Sequence, residues 1–298
     1  MTLSAQQYEE LIKTRVFNPG ELTAALVNRS KRTIAGADGK LLMIAADHTA
    51  RGKIALGDDP LAMADRFTLL DRLLTCLEMP EVDGVLASAD VLEELAWLGA
   101  LDGKLAIGTM NRGGIIGANW ELDDRLSAYD SEHIMNLGLD GGKLLLRFDY
   151  QDERVPRTIE SVARSMTELA DHKLMTMVAA LPYTKNSAGM AVLDSSHEAL
   201  VKVVAIASGL GAISAHTWLK LPPTPQMAEV AAATSLPILM LGGEPKADGK
   251  SIFDQWRDGM KQPNVRGVIA GRTLLYPMDG DSSNAVRLAH QAIRGESR

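Results

Sequence analysis

The chain has 298 residues, 46% of them hydrophobic, 23% charged and 4% aromatic, with a formal charge of -7. This composition suits an α/β enzyme better than a β-sandwich or a disordered chain and argues against a general nucleic-acid surface, so no nucleic-acid partner is expected. Cys76 is the only cysteine, which excludes an intrachain disulfide framework and a thiolate metal cluster.

Residues 1–15 are polar and mixed in charge, without the basic start and apolar core of a secretory signal, and no apolar run is long enough to span a membrane. A soluble, cytoplasmic protein with no membrane partner is expected. Residues 1–39 read as a short helical extension, its second helix opened by Asn18-Pro19, serving as a cap or as a contact in a homo-oligomer. From residue 40 to 298, short apolar strand candidates recur at 41–46, 84–87, 105–108, 144–148, 174–179, 212–219, 237–241 and 265–270. Helical patterns lie between them at 61–77, 89–98, 124–137, 159–172, 226–233, 251–260 and 283–293, and Ser195 with Glu198 reads as a capping box for a further helix.

Strands buried on both faces read as continuous apolar runs, and their alternation with helices predicts parallel pairing through right-handed crossovers. Eight such units predict a (β/α)8 TIM barrel behind the N-terminal helical extension. A doubly wound sheet is the alternative, but its dinucleotide fingerprint is missing, because Gly36-Ala37-Asp38-Gly39 precedes a strand instead of following one.

Active sites of such barrels lie at the carboxyl ends of the strands. There the first strand ends in Asp47-His48 followed by Arg51-Gly52, the third in Thr109-Met110-Asn111, the fourth in Arg147-Phe148-Asp149, and the fifth is followed by Tyr183. Lys220 sits inside the sixth, just before Pro222-Pro223. An ammonium in an apolar strand is penalised by desolvation, so its neutral, nucleophilic form becomes accessible; the bland alternative is a lysine that snorkels to water. Gly242-Gly243-Glu244 ends the seventh strand and Gly271-Arg272 the eighth, where close backbone approach and a forked guanidinium suit a phosphate; a tight turn and a solvated arginine are the alternative.

If Leu144, Leu146 and Phe148 face the helices, alternation turns Lys143, Leu145, Arg147 and Asp149 inward, and likewise His216, Trp218 and Lys220. Either Lys143 or Arg147 could then help to lower the proton affinity of Lys220, with Lys143 roughly 13 Å deeper in the barrel than Arg147. Asp47 reads either as a hydroxyl ligand and proton acceptor or as a turn cap. His48, His216, Asp47 and Glu244 form no metal-ligand spacing, so neither a metal nor a cofactor is expected.

Short motifs in residues 40–276 resemble those of the class I, Schiff-base aldolases of the deoxyribose-phosphate and tagatose-bisphosphate aldolase group. They are Gly138-Leu139-Asp140-Gly141-Gly142-Lys143, Leu219-Lys220-Leu221-Pro222, Pro237-Ile238-Leu239-Met240-Leu241-Gly242-Gly243, Gly267-Val268-Ile269-Ala270-Gly271-Arg272 and the opening Asp47-His48. The resemblance implies an imine on Lys220, a phosphorylated ketose or related sugar phosphate as substrate, and cleavage to fragments such as dihydroxyacetone phosphate and an aldehyde. Tagatose-type members place a glutamate where this chain has Ala179, which leaves Tyr183, Asp149, Asp47 or Glu244 to carry protons, Tyr183 first. A sugar-phosphate-binding barrel without turnover, or an isomerase or epimerase, are the other readings.

Overall fold

A computed structural model of the chain describes residues 2–111, 115–243 and 252–295. Two helices come first, α1 (Ala5–Phe17) and α2 (Gly20–Asn28). There follow β1 (Leu41–Ala45), α3 (Arg66–Glu78), β2 (Gly84–Ala87), α4 (Ala89–Trp97), β3 (Leu105–Thr109), α5 (Ser131–Asn136), β4 (Gly141–Phe148), α6 (Val155–Asp171), β5 (Met175–Lys185) and β6 (Ala191–Leu193). The remainder comprises α7 (His197–Ser208), β7 (Thr217–Leu221), α8 (Met227–Ala232), β8 (Ile238–Leu241), α9 (Ile252–Gly259), β9 (Val265–Ala270), α10 (Arg272–Leu275) and α11 (Ser282–Arg294). Every strand but β6 joins a parallel ring, β1-β2-β3-β4-β5-β7-β8-β9, in which β9 returns to β1. The expected (β/α)8 TIM barrel is therefore the fold, closed so that its eight strands expose no edge. β6 stands outside the ring and pairs antiparallel with the outer end of β5.

Both faces of the strands are apolar because both are buried. Leu41, Met43, Leu86, Leu105, Ile107, Met175, Met177, Leu239 and Ile269 fill the barrel interior, while Leu42, Ile44, Leu144, Leu146, Phe148, Leu219 and Leu221 pack outward against the helices. The deep interior is thus a packed apolar plug, and polar chemistry is confined to the carboxyl end of the strands. The other end is closed by the chain that follows α2. Ile34 packs against the interior plug, Arg29 donates to the carbonyls of Lys104 and Gly138 and pairs with Asp140 at 2.6 Å, and Arg32 pairs with Asp83 at 2.7 Å. Lys104, Asp140 and Asp83 each directly precede a barrel strand, so these pairs lace the extension across the floor.

Gly267 fixes how β9 meets its neighbours. Its φ is +133°, its Cα pairs with that of Leu41, and a Cβ there would overlap the Leu41 carbonyl oxygen. The register between β8 and β9 slips by one residue at this level, so the glycine absorbs a local irregularity that sets the height of Gly271 and Arg272. Gly267→Ala is expected to lower stability by about 3 kcal/mol or more, read as a drop in the urea midpoint at unchanged slope. A midpoint within error of the parent would show that the strand accommodates a side chain.

Several expected elements differ. The helix expected over 124–137 is only α5, because Asp124 is drawn 23 residues away to the guanidinium of Arg147 and α5 starts instead at Asp130, whose carboxylate caps His133 N–H. The sixth barrel strand starts at Thr217 rather than 212, after a turn in which Gly211 adopts φ +75°. Ser196, not Ser195, is the N-cap of α7 and makes no side-chain cap; its hydroxyl donates to Asp194 at 2.7 Å.

Candidate active site

Alternation along three strands builds the centre. On β7, Leu219 and Leu221 face the helices, Trp218 packs on the interior plug, and Lys220 points the same way as Trp218, two residues nearer the mouth. On β4 the outward Leu144 and Leu146 turn Lys143 inward, and on β1 the inward Leu41, Met43 and Ala45 carry the series on to Asp47. Lys143 is level with Met177 and Met177 with Trp218, so Lys143 starts below Lys220 and reaches upward. Its ammonium donates to Asp47 Oδ2 at 2.8 Å, and the hydroxyl of Thr109 lies 3.5 Å from the same oxygen. All four side chains are buried.

Burial sets the electrostatics. It drives the Lys220 ammonium down from 10.5 to about 8; Asp47 opposes this, and the cations Lys143 and Arg51 reinforce it. Burial also works against ionisation of Asp47, but Lys143, Lys220 and Arg51 together outweigh it and hold the carboxyl well below the usual carboxylate range. One anion is therefore shared between two buried lysines. His48 follows on the chain, and burial, with Arg272, Lys220 and Lys53 against the pull of Asp47, pushes it down to about 4, so its imidazole is neutral at physiological pH. Its Nε2 is buried without a hydrogen-bond partner among the described residues.

The glycines of the last two barrel strands adjoin this group. A Cβ on Gly242 would lie 2.5 Å from Thr273 Oγ1, and one on Gly271 would overlap the Ala45 carbonyl and sit 3.4 Å from His48 Nδ1. Gly243 has φ +81°, a left-handed conformation that favours glycine, and its carbonyl accepts from Thr273 Oγ1 at 3.3 Å. Arg272 is buried at the start of α10, and its charge is felt at His48. Gly271 and Arg272 are thus beside His48, and Thr273 ties Gly242 and Gly243 to them. Glu244 lies outside the described residues.

The remaining candidates are placed elsewhere. Arg147 faces inward, but its guanidinium is fully buried against Asp124 at 2.6 Å and Glu121 at 3.1 Å, and it also donates to the Glu121 carbonyl. It spends its donors on holding the loop after β3, and the charges felt at Lys220 are those of Asp47, Lys143 and Arg51. Of the two cations considered on this strand, Lys143 is therefore the one beside Lys220. Tyr183 lies in the outer part of β5 with its ring 5.3 Å from the Arg147 guanidinium carbon, and not at the lysine. Asp149 closes a turn, accepting from Gln151 N–H at 2.9 Å. Val178 pairs with Leu219, so Ala179 is the residue of β5 level with Lys220 and brings no acid there. Three residues carry parts of the site without an assigned role in the sequence: Thr109 on Asp47, Arg51 near Lys220, and Asn111. The Asn111 carboxamide clamps both the N–H and the carbonyl of Leu145, at 2.6 and 2.7 Å, and so fixes the strand that carries Lys143. Among the described residues no cluster of histidine, cysteine and carboxylate side chains could hold a metal ion.

Residues 39–290 match the family model described as Cgl0159-like. The crystal structure of Cgl0159 from Corynebacterium glutamicum is 40% identical over 98% of both chains, with a TM-score of 0.94. An archaeal fructose 1,6-bisphosphate aldolase is similar in fold at 20% identity and a TM-score of 0.64, over 92% of this chain and 100% of that one. The fructose-bisphosphate aldolase from Slackia heliotrinireducens is similar at 15% identity and a TM-score of 0.66, over 87% and 83%. No curated protein sequence matches the chain.

Proposed function

The chain belongs to the Cgl0159-like family, and we propose that it is a class I aldolase that cleaves a phosphorylated ketose through an imine on Lys220. The observation that carries this reading is a buried lysine of lowered proton affinity at a barrel strand end, with a carboxylate and a second lysine beside it and the glycine and arginine cradle next to them. In the archaeal aldolase of the same fold, the catalytic lysine is seen covalently bound to a carbinolamine intermediate. Lys220 is our candidate for the same step.

The neutral Lys220 amine adds to the ketone carbon, and loss of water leaves a protonated imine that draws electrons from the adjacent carbon–carbon bond. As that bond breaks, the hydroxyl proton of the departing fragment passes to a base, the aldehyde leaves, and the electron pair stays as an enamine. Protonation at carbon and addition of water then return the amine and release the phosphorylated ketone. Asp47 is the acceptor we assign to the hydroxyl, with Lys143 as its proton-bearing partner. Tyr183 gives way in this role because its ring stacks on Arg147. Gly242, Gly243, Gly271 and Arg272 hold the phosphate, and the neutral His48 donates or accepts a hydrogen bond beside it.

Borohydride reduction in the presence of a panel of ketose phosphates, dihydroxyacetone phosphate included, should add the ligand's mass to the peptide containing Lys220. No adduct with any member sinks the reading in favour of a binding barrel without turnover. Adduct formation should rise with pH through about 8, as the neutral amine is populated. Lys143→Met removes a repelling charge and leaves Asp47 to Lys220 alone, so the midpoint should move about one unit or more towards alkaline pH. An unmoved midpoint, or an acid shift, would show that Lys143 does not tune Lys220.

A further inference from the structure

The barrel mouth holds a fixed cation on the side away from the glycine cradle. Arg51 ends the short 3-10 helix Thr49–Arg51 that follows Asp47 and His48. Its N–H donates to the His48 carbonyl at 3.1 Å, and its carbonyl accepts from Ile116 N–H at 3.2 Å, so its backbone is pinned between the β1 turn and the loop after β3. Its Nε is buried and has no hydrogen-bond partner among the described residues. A buried donor left unpaired costs on the order of 1–3 kcal/mol, a penalty that a ligand acceptor relieves. Around the ring, β8 and β9 with the cradle lie on one side of β1, and β2 and β3 on the other. Arg51 is tied to the β3 side. Among the described residues, the charges acting on Lys220 are the cations Lys143 and Arg51 and the carboxylate of Asp47, which Lys143 already pairs.

The backbone around Arg51 indicates which anion fits. The N–H groups of Arg51, Gly52 and Lys53 are already given to the carbonyls of His48, Thr49 and His48, at 3.1, 2.9 and 3.2 Å. Those three N–H groups therefore form no nest for the three oxygens of a phosphate. Arg51 itself offers a planar guanidinium, whose forked donors match the two oxygens of a carboxylate. We infer that Arg51 binds a carboxylate at the end of the substrate remote from the phosphate, so that the substrate is a phosphorylated keto acid of the sugar-acid type. The inference rests on the aldolase reading above and names its substrate class.

Run in the condensing direction, the enamine carbon on Lys220 bonds the aldehyde carbon, the aldehyde oxygen takes a proton to become a hydroxyl, and water frees the product. Dihydroxyacetone phosphate serves as the donor. The acceptors are the two-, three- and four-carbon ω-aldehyde acids, uncharged aldehydes of equal length, and glyceraldehyde 3-phosphate. The best aldehyde acid should exceed its uncharged counterpart by about tenfold or more in kcat/KM. Arg51→Met should erase that preference, mainly through KM, and Arg51→Lys should keep part of it. A preference that survives Arg51→Met overturns the assignment, and so does one for glyceraldehyde 3-phosphate that Arg51→Met abolishes. The borohydride adduct of dihydroxyacetone phosphate on Lys220 separates the two levels. Its absence in the parent protein overturns the aldolase reading and this assignment with it, whereas an adduct without an Arg51-dependent preference overturns this assignment alone.

Discussion

Lys220→Met is expected to abolish the borohydride adduct with every ketose phosphate and to lower turnover on the order of 10³-fold or more, because among the described residues no other amine is placed to act as its nucleophile. Lys143 is the nearest alternative, but its ammonium is held on Asp47 at 2.8 Å and its strand position lies below that of Lys220. The loss should not come from unfolding. The substitution removes a buried cation whose proton affinity has been driven down to about 8, and it leaves Asp47 and Lys143 as a pair of opposite charge. The thermal midpoint of the variant should therefore equal or exceed that of the parent. Turnover that survives at parental rate would remove the imine from the mechanism and favour proton transfer of the isomerase type. Loss of turnover with a sharply lowered midpoint would point instead to a structural role for the lysine.

The barrel was legible in the sequence because a strand buried on both faces leaves an uninterrupted apolar run. The phase of β4 followed from Leu144, Leu146 and Phe148, and with it the inward turn of Lys143. What local pattern could not supply was which inward groups meet. Lys143 and Asp47 are separated by 96 residues, and only ring closure brings them to 2.8 Å. Arg147 has the right phase and the right charge, yet Asp124, in a stretch that reads as a helix, captures it. That one long-range pair removed both a helix start and a candidate site cation. Tyr183 was displaced for a related reason, since β5 continues past the rim to pair with β6 and carries the ring up to Arg147. Arg51 was visible beside Asp47-His48, but its meaning depends on backbone hydrogen bonds that no spacing encodes.

Asp47→Asn is expected to be the most destabilising change in the site, at about 3–5 kcal/mol near neutral pH, because it leaves Lys143 and Lys220 buried with no carboxylate between them. The pH dependence gives the loss a signature. In the parent, Lys220 holds its proton only below about 8 against an ordinary 10.5, so between those values the unfolded chain binds a proton that the folded chain does not, and stability gains as pH rises through that window. Without Asp47 the one group that favours the Lys220 ammonium is gone, its proton affinity falls further, and the window widens downward. Urea unfolding should then show a deficit that is largest at and below neutral pH and shrinks as pH rises towards about 8, where Lys220 sheds its proton in the parent as well. Adding Lys143→Met to Asp47→Asn removes one of the two repelling cations and should recover a substantial part of the stability, although neither change alone improves packing. A deficit that is flat with pH, and is not relieved by the second substitution, would mean that Asp47 holds the strand end through its hydrogen bonds alone. In that case Asp47 would not act on Lys220 through its charge, and the shared carboxylate would lose its place in the mechanism.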